Sequence, residues 1–280
     1  MIKLTASQNP VIKEIRSLRN KSSREEKGLF FIEGSRFVEE AVREAVSTAG
    51  CGGPGSEGAA EIRYIAISDT YLNNPESMKL IEPCVRQGIK IYNVTDSLFE
   101  SISDTRNPQG ILAVMTLKRD HLKNARLSGG ILVLLDSIRD PGNMGTIIRT
   151  ADAAGCAGVV VTEGCVDVYN PKVLRSTMGS VFHLPILHSA TIEDAMMVCK
   201  EMGYKLCASH LEGSVSIYDA DLSGDIAFVT GSEADGIGDG ARRSADMLVR
   251  IPMDGRAESL NAAVATGIMI FEAVRQRKKL

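Results

Sequence analysis

The sequence predicts an α/β protein in two parts, the second of which is built on a mostly parallel sheet. Three observations support this prediction. Short apolar segments alternate with amphipathic helical segments along the chain. A polar stretch at 118–130 interrupts this alternation once. The strand segments after it are apolar at consecutive positions, which is typical of parallel strands that are covered on both faces.

The first part, residues 1–117, begins with a helix that Asn9 caps and Pro10 opens. The elements that follow are a strand at 29–34, a helix at 35–46, a strand at 62–68, a helix near 75–87, and strands at 89–94 and 111–118. The Gly- and Ser-rich residues 47–60 predict a flexible surface loop. Residues 118–130 predict a linker between two domains.

The second part, residues 131–280, repeats the alternation of strands and helices. Strands are predicted at 131–136, 158–163, 184–187, 205–210, 226–231 and 247–252, and helices from about 144, near 170–178, near 191–203 and from 260. In open α/β sheets, ligands bind beyond the carboxyl ends of the strands. The residues that follow these strands are therefore the candidates for a functional site.

Composition and motifs argue against several classes of function. The longest apolar runs are far shorter than the roughly 20 residues that span a bilayer, and the N-terminus lacks the apolar core of a signal peptide, so a cytoplasmic protein without a membrane span is expected. The cysteines form no CxxC pair and the histidines no HExxH spacing, so no metal site is expected. Without a Gly-Lys dipeptide there is no P-loop, and without GxGxxG spacing a dinucleotide-dependent dehydrogenase is disfavoured.

Charge is distributed unevenly along the chain. The net charge of −3 argues weakly against a nucleic-acid partner. However, residues 1–30 hold seven Lys and Arg against three Glu, and the last six residues hold four more basic side chains. Basic ends on an acidic body fit phosphate contacts, although a solvated helix face and a solubilising tail explain the charges equally well.

Three segments at strand ends carry the candidate chemistry, and the first is DPGNMGTIIRT at 140–150. Asn143 follows a Pro-Gly turn and is placed to cap the next helix. Arg149 lies off the apolar stripe of that helix, above Gly145. A surface ion pair between Arg149 and Asp152 is an equally weighted alternative.

The other two segments are TGSEADGIGDG at 230–240 and RIPMDGRAESLN at 250–261. In the former, glycines allow the backbone to approach a ligand closely beside Glu233. In the latter, Ser259 has an ordinary role as a helix cap, whereas Asn261 is a poor helix former with less structural reason to stand there. The helix after it, at 262–270, is too apolar to face water and is expected to be buried in its own domain or in a partner subunit.

Taken together and in this order, DPGNxGxxxR, GSExxGI and IPMxGxxESLN resemble the SpoU (TrmH-like) family of RNA ribose 2′-O-methyltransferases, which belongs to the SPOUT superfamily. The resemblance covers 131–280. The first part is similar, more loosely, to the family's RNA substrate-binding domain through FIEG, VEEA and TRNPQGILAV. CGGPGSEG at 51–58 looks like an insertion relative to the family, and Ala234 stands where glycine is common.

The resemblance implies a trefoil knot in the second domain, a homodimer formed through that domain, and S-adenosylmethionine as methyl donor. Ribosomal RNA is favoured as the target over transfer RNA, and a non-catalytic RNA-binding or ribosome-assembly protein is the other alternative. The cofactor-binding residues implied by the family pattern are Gly231, Ile251, Met253 and Leu260. Those implied around the ribose, as the catalytic group, are Asn143, Arg149, Glu233, Ser259 and Asn261.

The family pattern gives the role of general base to the arginine that matches Arg149. A guanidinium normally stays protonated, so a phosphate-bridged or electrostatic role for Arg149 is kept beside that of a base.

Overall fold

The structure is a computed structural model that describes residues 1–50, 61–210, 215–232 and 236–278. The chain forms two compact units. The first consists of Met1–Lys118 together with Tyr169–Phe182, and the second of Arg119–Val168 together with His183–Leu280. No described helix is long and apolar enough to cross a membrane.

The first unit contains a five-stranded mixed sheet with the strand order β1-β4-β3-β5-β2. Its strands are β1 (Ile2–Leu4), β2 (Leu29–Glu33), β3 (Ile62–Ser68), β4 (Lys90–Val94) and β5 (Ile111–Thr116). Its helices before residue 118 are α1 (Pro10–Ser17), α2 (Lys21–Lys27), α3 (Ser35–Gly50), α4 (Asp69–Leu72), α5 (Ser77–Arg86) and α6 (Asp96–Ile102). β5 runs antiparallel to both β2 and β3, whereas β4 is parallel to β1 and β3.

The start of α1 confirms the predicted cap. Asn9 Oδ1 accepts a hydrogen bond from the backbone N–H of Val11 at 2.9 Å, and Pro10 stands at the first helical position. Ile12 and Ile15 of α1 are buried against one face of the sheet together with Phe99. Phe37 and Val38 of α3 are buried in the core on the other face.

This division into units differs from the expected domains in one respect, because residues 169–182 pack with the first unit. The Tyr169 ring lies 4.7 Å from that of Phe30, and its hydroxyl donates to the Lys118 carbonyl at 2.6 Å. This segment contains α8 (Pro171–Thr177), in which Leu174 is buried in the core beside α3. Apolar packing that is distant in sequence brings it there, and no local pattern signals such packing.

The second unit contains an eight-stranded sheet with the order β11-β13-β10-β12-β7-β8-β9-β6. Every pairing in it is parallel, which confirms the predicted class of sheet. The strands are β6 (Asp120–His121), β7 (Ile131–Leu135), β8 (Gly158–Thr162), β9 (Ile186–Ser189), β10 (Lys205–Ser209), β11 (Val215–Ser216), β12 (Ile226–Thr230) and β13 (Met247–Arg250). The helices are α7 (Pro141–Ala153), α9 (Ile192–Glu201), α10 (Asp239–Ser244) and α11 (Ala262–Lys278).

The structure differs from the sequence expectations at several element boundaries. Helix α7 begins three residues before the expected start near 144, because Asp140 rather than Asn143 caps it. Helix α3 continues to Gly50, so only 51–60 of the expected surface loop lies outside it, and those residues are outside the described part of the chain. Residues 118–130, expected as a linker, include strand β6 and Leu122, which is buried in the core of the second unit.

Candidate functional site

A cavity of about 490 Å³ lies at the carboxyl ends of β10, β12 and β13. All four residues predicted to bind a cofactor line it, and so does one residue of the predicted catalytic group: Gly231, Ile251, Met253, Leu260 and Ser259. Residues that follow β10, β12 and β13 therefore meet at one edge of the sheet, because parallel neighbouring strands end on the same side. The volume falls in the usual range for small-molecule sites.

The wall of the cavity at Gly231 is made by tightly folded backbone. Ser232 and Gly236 form an antiparallel bridge, and the Gly236 N–H donates to the Ser232 carbonyl at 2.9 Å. A Cβ on Gly231 would lie 1.9 Å from the Gly236 carbonyl oxygen and 2.6 Å from the Ile237 nitrogen. Only glycine fits at this position, so the backbone itself forms this side of the cavity.

A pair of threonine hydroxyls lies beside this wall, and their hydrogen bonds are made within the second unit. Thr230, at the end of β12, and Thr266, on α11, are both buried, and their hydroxyl oxygens are 3.0 Å apart. The Thr266 hydroxyl also lies 2.7 Å from the Ala262 carbonyl, to which it donates. This pair connects the last helix to the central strand of the sheet at the position of the cavity.

The structure brings Asn143 and Asn261 together although 118 positions separate them. The side-chain amide of Asn261 donates from Nδ2 to the Oδ1 of Asn143 at 2.8 Å. Asn261 Oδ1 accepts from the backbone N–H groups of Ala263 at 3.0 Å and Val264 at 3.3 Å. These backbone donors determine which way the Asn261 amide points, and that amide in turn orients Asn143.

The roles expected for three capping residues change. Asn261, which was expected to have little structural reason for its place, caps α11, and Ser259 does not. Ser259 is instead exposed and lines the cavity. Asn143 does not cap α7; its backbone N–H donates at 2.8 Å to Asp140 Oδ1, which does. The first residues of α7 and α11 therefore differ from those that the sequence spacing predicts.

Arg149 lies on the exposed side of α7, whereas Gly145 is buried. The alternative ion pair with Asp152 is absent from the described residues, because the Asp152 carboxylate is 2.9 Å from Nδ1 of His183. The Arg149 side chain makes no hydrogen bond or ion pair with any residue in the ranges that the structure describes. No described residue thus occupies its guanidinium, which can bind a substrate group.

Glu233, the remaining residue of the predicted catalytic group, lies outside the described residues, and so does Ala234. The cavity also has a polar lining that the sequence did not single out, formed by Ser209, His210, Arg242 and Arg250. Ser209 and His210 end the predicted strand at 205–210, so their position at a strand end was the one available signal.

The second unit and much of the first match known protein families. The model of the SpoU rRNA methylase family matches residues 130–271. The model of the MRM3-like substrate binding domain matches 9–51, and that of the RNA 2′-O ribose methyltransferase substrate binding domain matches 31–120.

Similar proteins span nearly the whole chain. It is 31% identical over 271 residues to the 23S rRNA (guanosine(2553)-2′-O)-methyltransferase RlmP of Bacillus subtilis, covering 97% of this chain and 98% of that one. A crystal structure of an AdoMet-bound rRNA methyltransferase from Sinorhizobium meliloti is 33% identical, with a TM-score of 0.84 and coverage of 98% and 97%. The SpoU methyltransferase AviRb from Streptomyces viridochromogenes, in complex with AdoMet, is 27% identical, with a TM-score of 0.81 and coverage of 97% and 99%.

The family match covers all three predicted segments, 140–150, 230–240 and 250–261, and the similar proteins cover both units. The chain belongs to the SpoU rRNA methylase family.

Proposed function

We propose that this protein transfers a methyl group from S-adenosylmethionine to a ribose 2′-hydroxyl of ribosomal RNA. The observation that carries the proposal is the amide pair Asn143–Asn261, held beside the cavity that Gly231, Leu260 and Ser259 line. An oriented amide pair next to a small-molecule cavity is what the alignment of a hydroxyl with a bound donor requires. The named activity of the Bacillus relative supports ribosomal RNA as the target.

The residues of the cavity fit S-adenosylmethionine. Much of the lining is apolar, including Ile237, Val249 and Ile251, which suits an adenine ring, while backbone at Gly231 and neighbouring polar groups provide hydrogen bonds. Gly231, Ile251, Met253 and Leu260 would hold the cofactor. When bound, it supplies an electrophilic methyl group on a sulfonium centre.

The chain's own residues then position the nucleophile and deal with its proton. Asn143 and Asn261 form hydrogen bonds to the ribose, with Ser259 exposed at the cavity and Glu233 assigned to the same group by the family pattern. A ribose hydroxyl is a poor nucleophile at neutral pH, so its proton must be withdrawn as the bond to carbon forms. Arg149 acts at this oxygen in one of two ways. It takes the proton as the base, or it stays protonated and stabilises the developing negative charge while a substrate phosphate bridged to it, or solvent, takes the proton.

The first unit serves as the RNA-binding domain in this proposal, and the second as the methyltransferase domain. The two substrate-binding family models support the former assignment. We also infer a trefoil knot in the second unit. It is supported by β12, which lies between β10 and β7, and by α11, which returns from β13 to pack on α7 and contact β12. Action on ribosomal RNA implies a location in the cytoplasm.

The protein is further proposed to be a homodimer through its second unit. Helix α11 buries Met269, Ile270 and Ala273 in its own unit, but Val264 is 52% and Phe271 49% exposed. These two residues stand seven positions apart and therefore share one face of the helix, an apolar face that a second copy would cover.

The experiment that tests the function is incubation of the protein with labelled S-adenosylmethionine and purified ribosomal RNA, followed by mapping of the modified nucleotide. Label on a ribose 2′-oxygen of ribosomal RNA is the expected result. Label on transfer RNA alone would replace the target while keeping the chemistry. Label on a base would contradict the chemistry, and absence of S-adenosylmethionine binding in calorimetry would favour a non-catalytic RNA-binding protein.

A further inference from the structure

Two exposed arginines lie at one end of the sheet in the first unit. Arg36 is the second residue of α3, directly after β2, and Arg106 lies in the loop 103–110 that precedes β5. Neither side chain makes a hydrogen bond or ion pair with another residue in the part of the chain that the structure describes. Arg36, Arg106 and the loop 103–110 are called the arginine edge below.

Hydrogen bonds fix the two halves of the arginine edge to each other. The Glu33 carboxylate accepts from the backbone N–H of Asp104 at 2.9 Å and from the hydroxyls of Ser103 and Thr105. At the other end of the loop, Gln109 Oε1 accepts from the backbone N–H of Ser35 at 2.7 Å. The backbone that carries both arginines is therefore held in place before any ligand binds, which reduces the entropy lost on binding.

Three further guanidinium groups bond to this loop or to the residue Ser101 just before it. Arg16 donates to Ser101 Oγ at 2.6 Å, Arg19 to the Ser103 carbonyl, and Arg175 to Asp104 Oδ2 at 2.6 Å. These three guanidinium groups support the loop, and the carboxylates of Glu33 and Asp104 are already engaged by it and by Arg175. Arg36 and Arg106 thus keep donors that no described residue engages, among three other guanidinium groups whose charge favours an anion.

We infer that the arginine edge binds the sugar-phosphate backbone of the RNA substrate, with one phosphate contact for each of Arg36 and Arg106. A planar guanidinium with five donors is the side chain best suited to phosphate oxygens. Contacts of this kind position an RNA without reading its sequence. The inference rests on the proposed function, because it takes RNA as the substrate, and it names the surface that holds it.

The opposite end of the same sheet is the competing surface. There Arg63 and Lys90, at the starts of β3 and β4, flank a cavity of about 400 Å³ that Tyr64 and Tyr92 also line. Its aromatic groups are already engaged, since the Tyr64 hydroxyl donates to Glu14 at 2.6 Å and the two rings meet edge to face at 5.4 Å. Two cations and the Glu14 carboxylate stand at this end, against five guanidinium groups and the two carboxylates of Glu33 and Asp104 at the other, so this end is the less suitable one.

The test compares two full-length double variants that each remove two positive charges from the first unit. Arg36→Gln with Arg106→Gln alters the arginine edge, and Arg63→Gln with Lys90→Gln alters the opposite end. The probe is purified Bacillus subtilis 23S rRNA, and its dissociation constant is measured over a series of salt concentrations. For the arginine-edge variant, the slope of log affinity against log salt should fall by about 1.4 to 1.8, which corresponds to two lost phosphate contacts. The opposite-end variant should keep the wild-type slope.

Thermal unfolding and S-adenosylmethionine calorimetry accompany both variants. All the altered side chains are outside the cavity of the second unit, so cofactor affinity and folding should match wild type. A wild-type salt slope in the arginine-edge variant, or an equal loss in both variants, would overturn the inference. A wild-type protein that binds RNA with this salt dependence, but does not bind S-adenosylmethionine or transfer a methyl group, would contradict the proposed function. The inferred RNA-binding surface would then still be supported.

Discussion

Arg149 is the residue whose proposed role is least expected from its own chemistry. It is exposed on α7, the helix that also carries Asn143, and the partner that the sequence offered, Asp152, is engaged by His183. No residue in the described part of the chain engages its guanidinium, which leaves this cation to bind a group outside those residues. Whether it withdraws a proton or only stabilises charge is a question that substitution can answer.

Arg149→Ala should lower the turnover number by roughly 100-fold to 1,000-fold, because a group that stabilises charge in the transition state is lost. The dissociation constant for S-adenosylmethionine should stay within about twofold of wild type, since Arg149 is not among the cavity-lining residues. Single-turnover methyl transfer and calorimetry provide the two measurements. Arg149→Lys separates the roles, because it should restore much of the rate if positive charge is sufficient. A near-normal turnover number in Arg149→Ala would remove Arg149 from the mechanism.

Gly231 can be tested by adding a single methyl group. In Gly231→Ala the new Cβ would meet the Gly236 carbonyl oxygen at 1.9 Å, so the backbone wall of the cavity must shift. Calorimetry should show at least a tenfold loss of S-adenosylmethionine affinity, about 1.4 kcal/mol. Gly238→Ala is the matched control, because its Cβ would meet nothing within 4 Å and its φ of −63° suits alanine. Equal cofactor affinity in the two variants would show that the wall does not shape the site.

At the level of the elements, the Asn261 side chain at the start of α11 has two roles, one in capping the helix and one in the proposed methyl transfer. Asn261 Oδ1 caps the helix, and its Nδ2 donates to Asn143. Asn261→Asp keeps an acceptor for the helix N–H groups but places an oxygen against Asn143 Oδ1. It should therefore keep the cap and lose methyl transfer, whereas Asn261→Ala should in addition lose the cap and about 1 kcal/mol of stability. Urea unfolding and turnover, measured on both variants, distinguish the cap from the amide pair. Full activity in Asn261→Asp would show that the amide pair is dispensable.

The other end of α11 is held by a buried carboxylate. Glu272 is 7% exposed, and it accepts hydrogen bonds from Arg275 at 2.8 and 2.9 Å and from Gln276 at 2.9 Å. The hydrogen bonds from Arg275 are the main cause that holds the pKa of Glu272 below its usual value. Gln276 also donates to the Ala220 carbonyl, which ties the helix to the segment before β12.

This arrangement predicts a specific pH dependence of stability. The folded state binds the proton of Glu272 less readily than the unfolded state, so the contribution is full above the unfolded pKa of about 4.3 and is lost as pH falls through the folded value. In Glu272→Gln, the free energy of unfolding should fall less steeply than in wild type as pH is lowered below about 5. Urea unfolding between pH 3 and pH 7 provides the measurement. Arg275→Ala should also make the free energy of unfolding fall less steeply below about pH 5. Parallel plots of unfolding free energy against pH for wild type and both variants would contradict this role of Glu272.

The comparison of sequence with structure is clearest for the strands. β7, β8 and β12 were predicted within one residue at each end, because each is an apolar run that is buried on both faces. β1, β6 and β11 were missed, since two or three partly exposed residues carry no periodicity. The family resemblance of the motifs at strand ends implied Gly231, Ile251, Met253 and Leu260 of the cavity lining, but not Ser209, His210, Arg242 or Arg250. The link from Asn261 to Asn143 depends on how α11 returns to α7, which no local pattern encodes.

At the level of the whole molecule, the exposed face of α11 is the feature that a single chain leaves unexplained. The near absence of polar side chains from the middle of this helix predicts burial in its own domain or in a partner subunit, and the structure buries one side within the second unit. Val264 and Phe271 remain exposed on the other, with Ile268 half-buried between them. An apolar face of this kind is stable in water when another surface covers it.

Light scattering after gel filtration should give wild-type protein twice the 30.1 kDa mass of one chain. Val264→Glu with Phe271→Glu should give the mass of one chain, because two-fold symmetry places four carboxylates in an apolar interface where they are desolvated and unpaired. Tyr218→Glu is the matched control, since Tyr218 is 54% exposed in the same unit but is not part of α11. It should leave the dimer intact. A wild-type mass of one chain at micromolar concentration would contradict the dimer, and a control that also dissociates would place the interface elsewhere on the second unit.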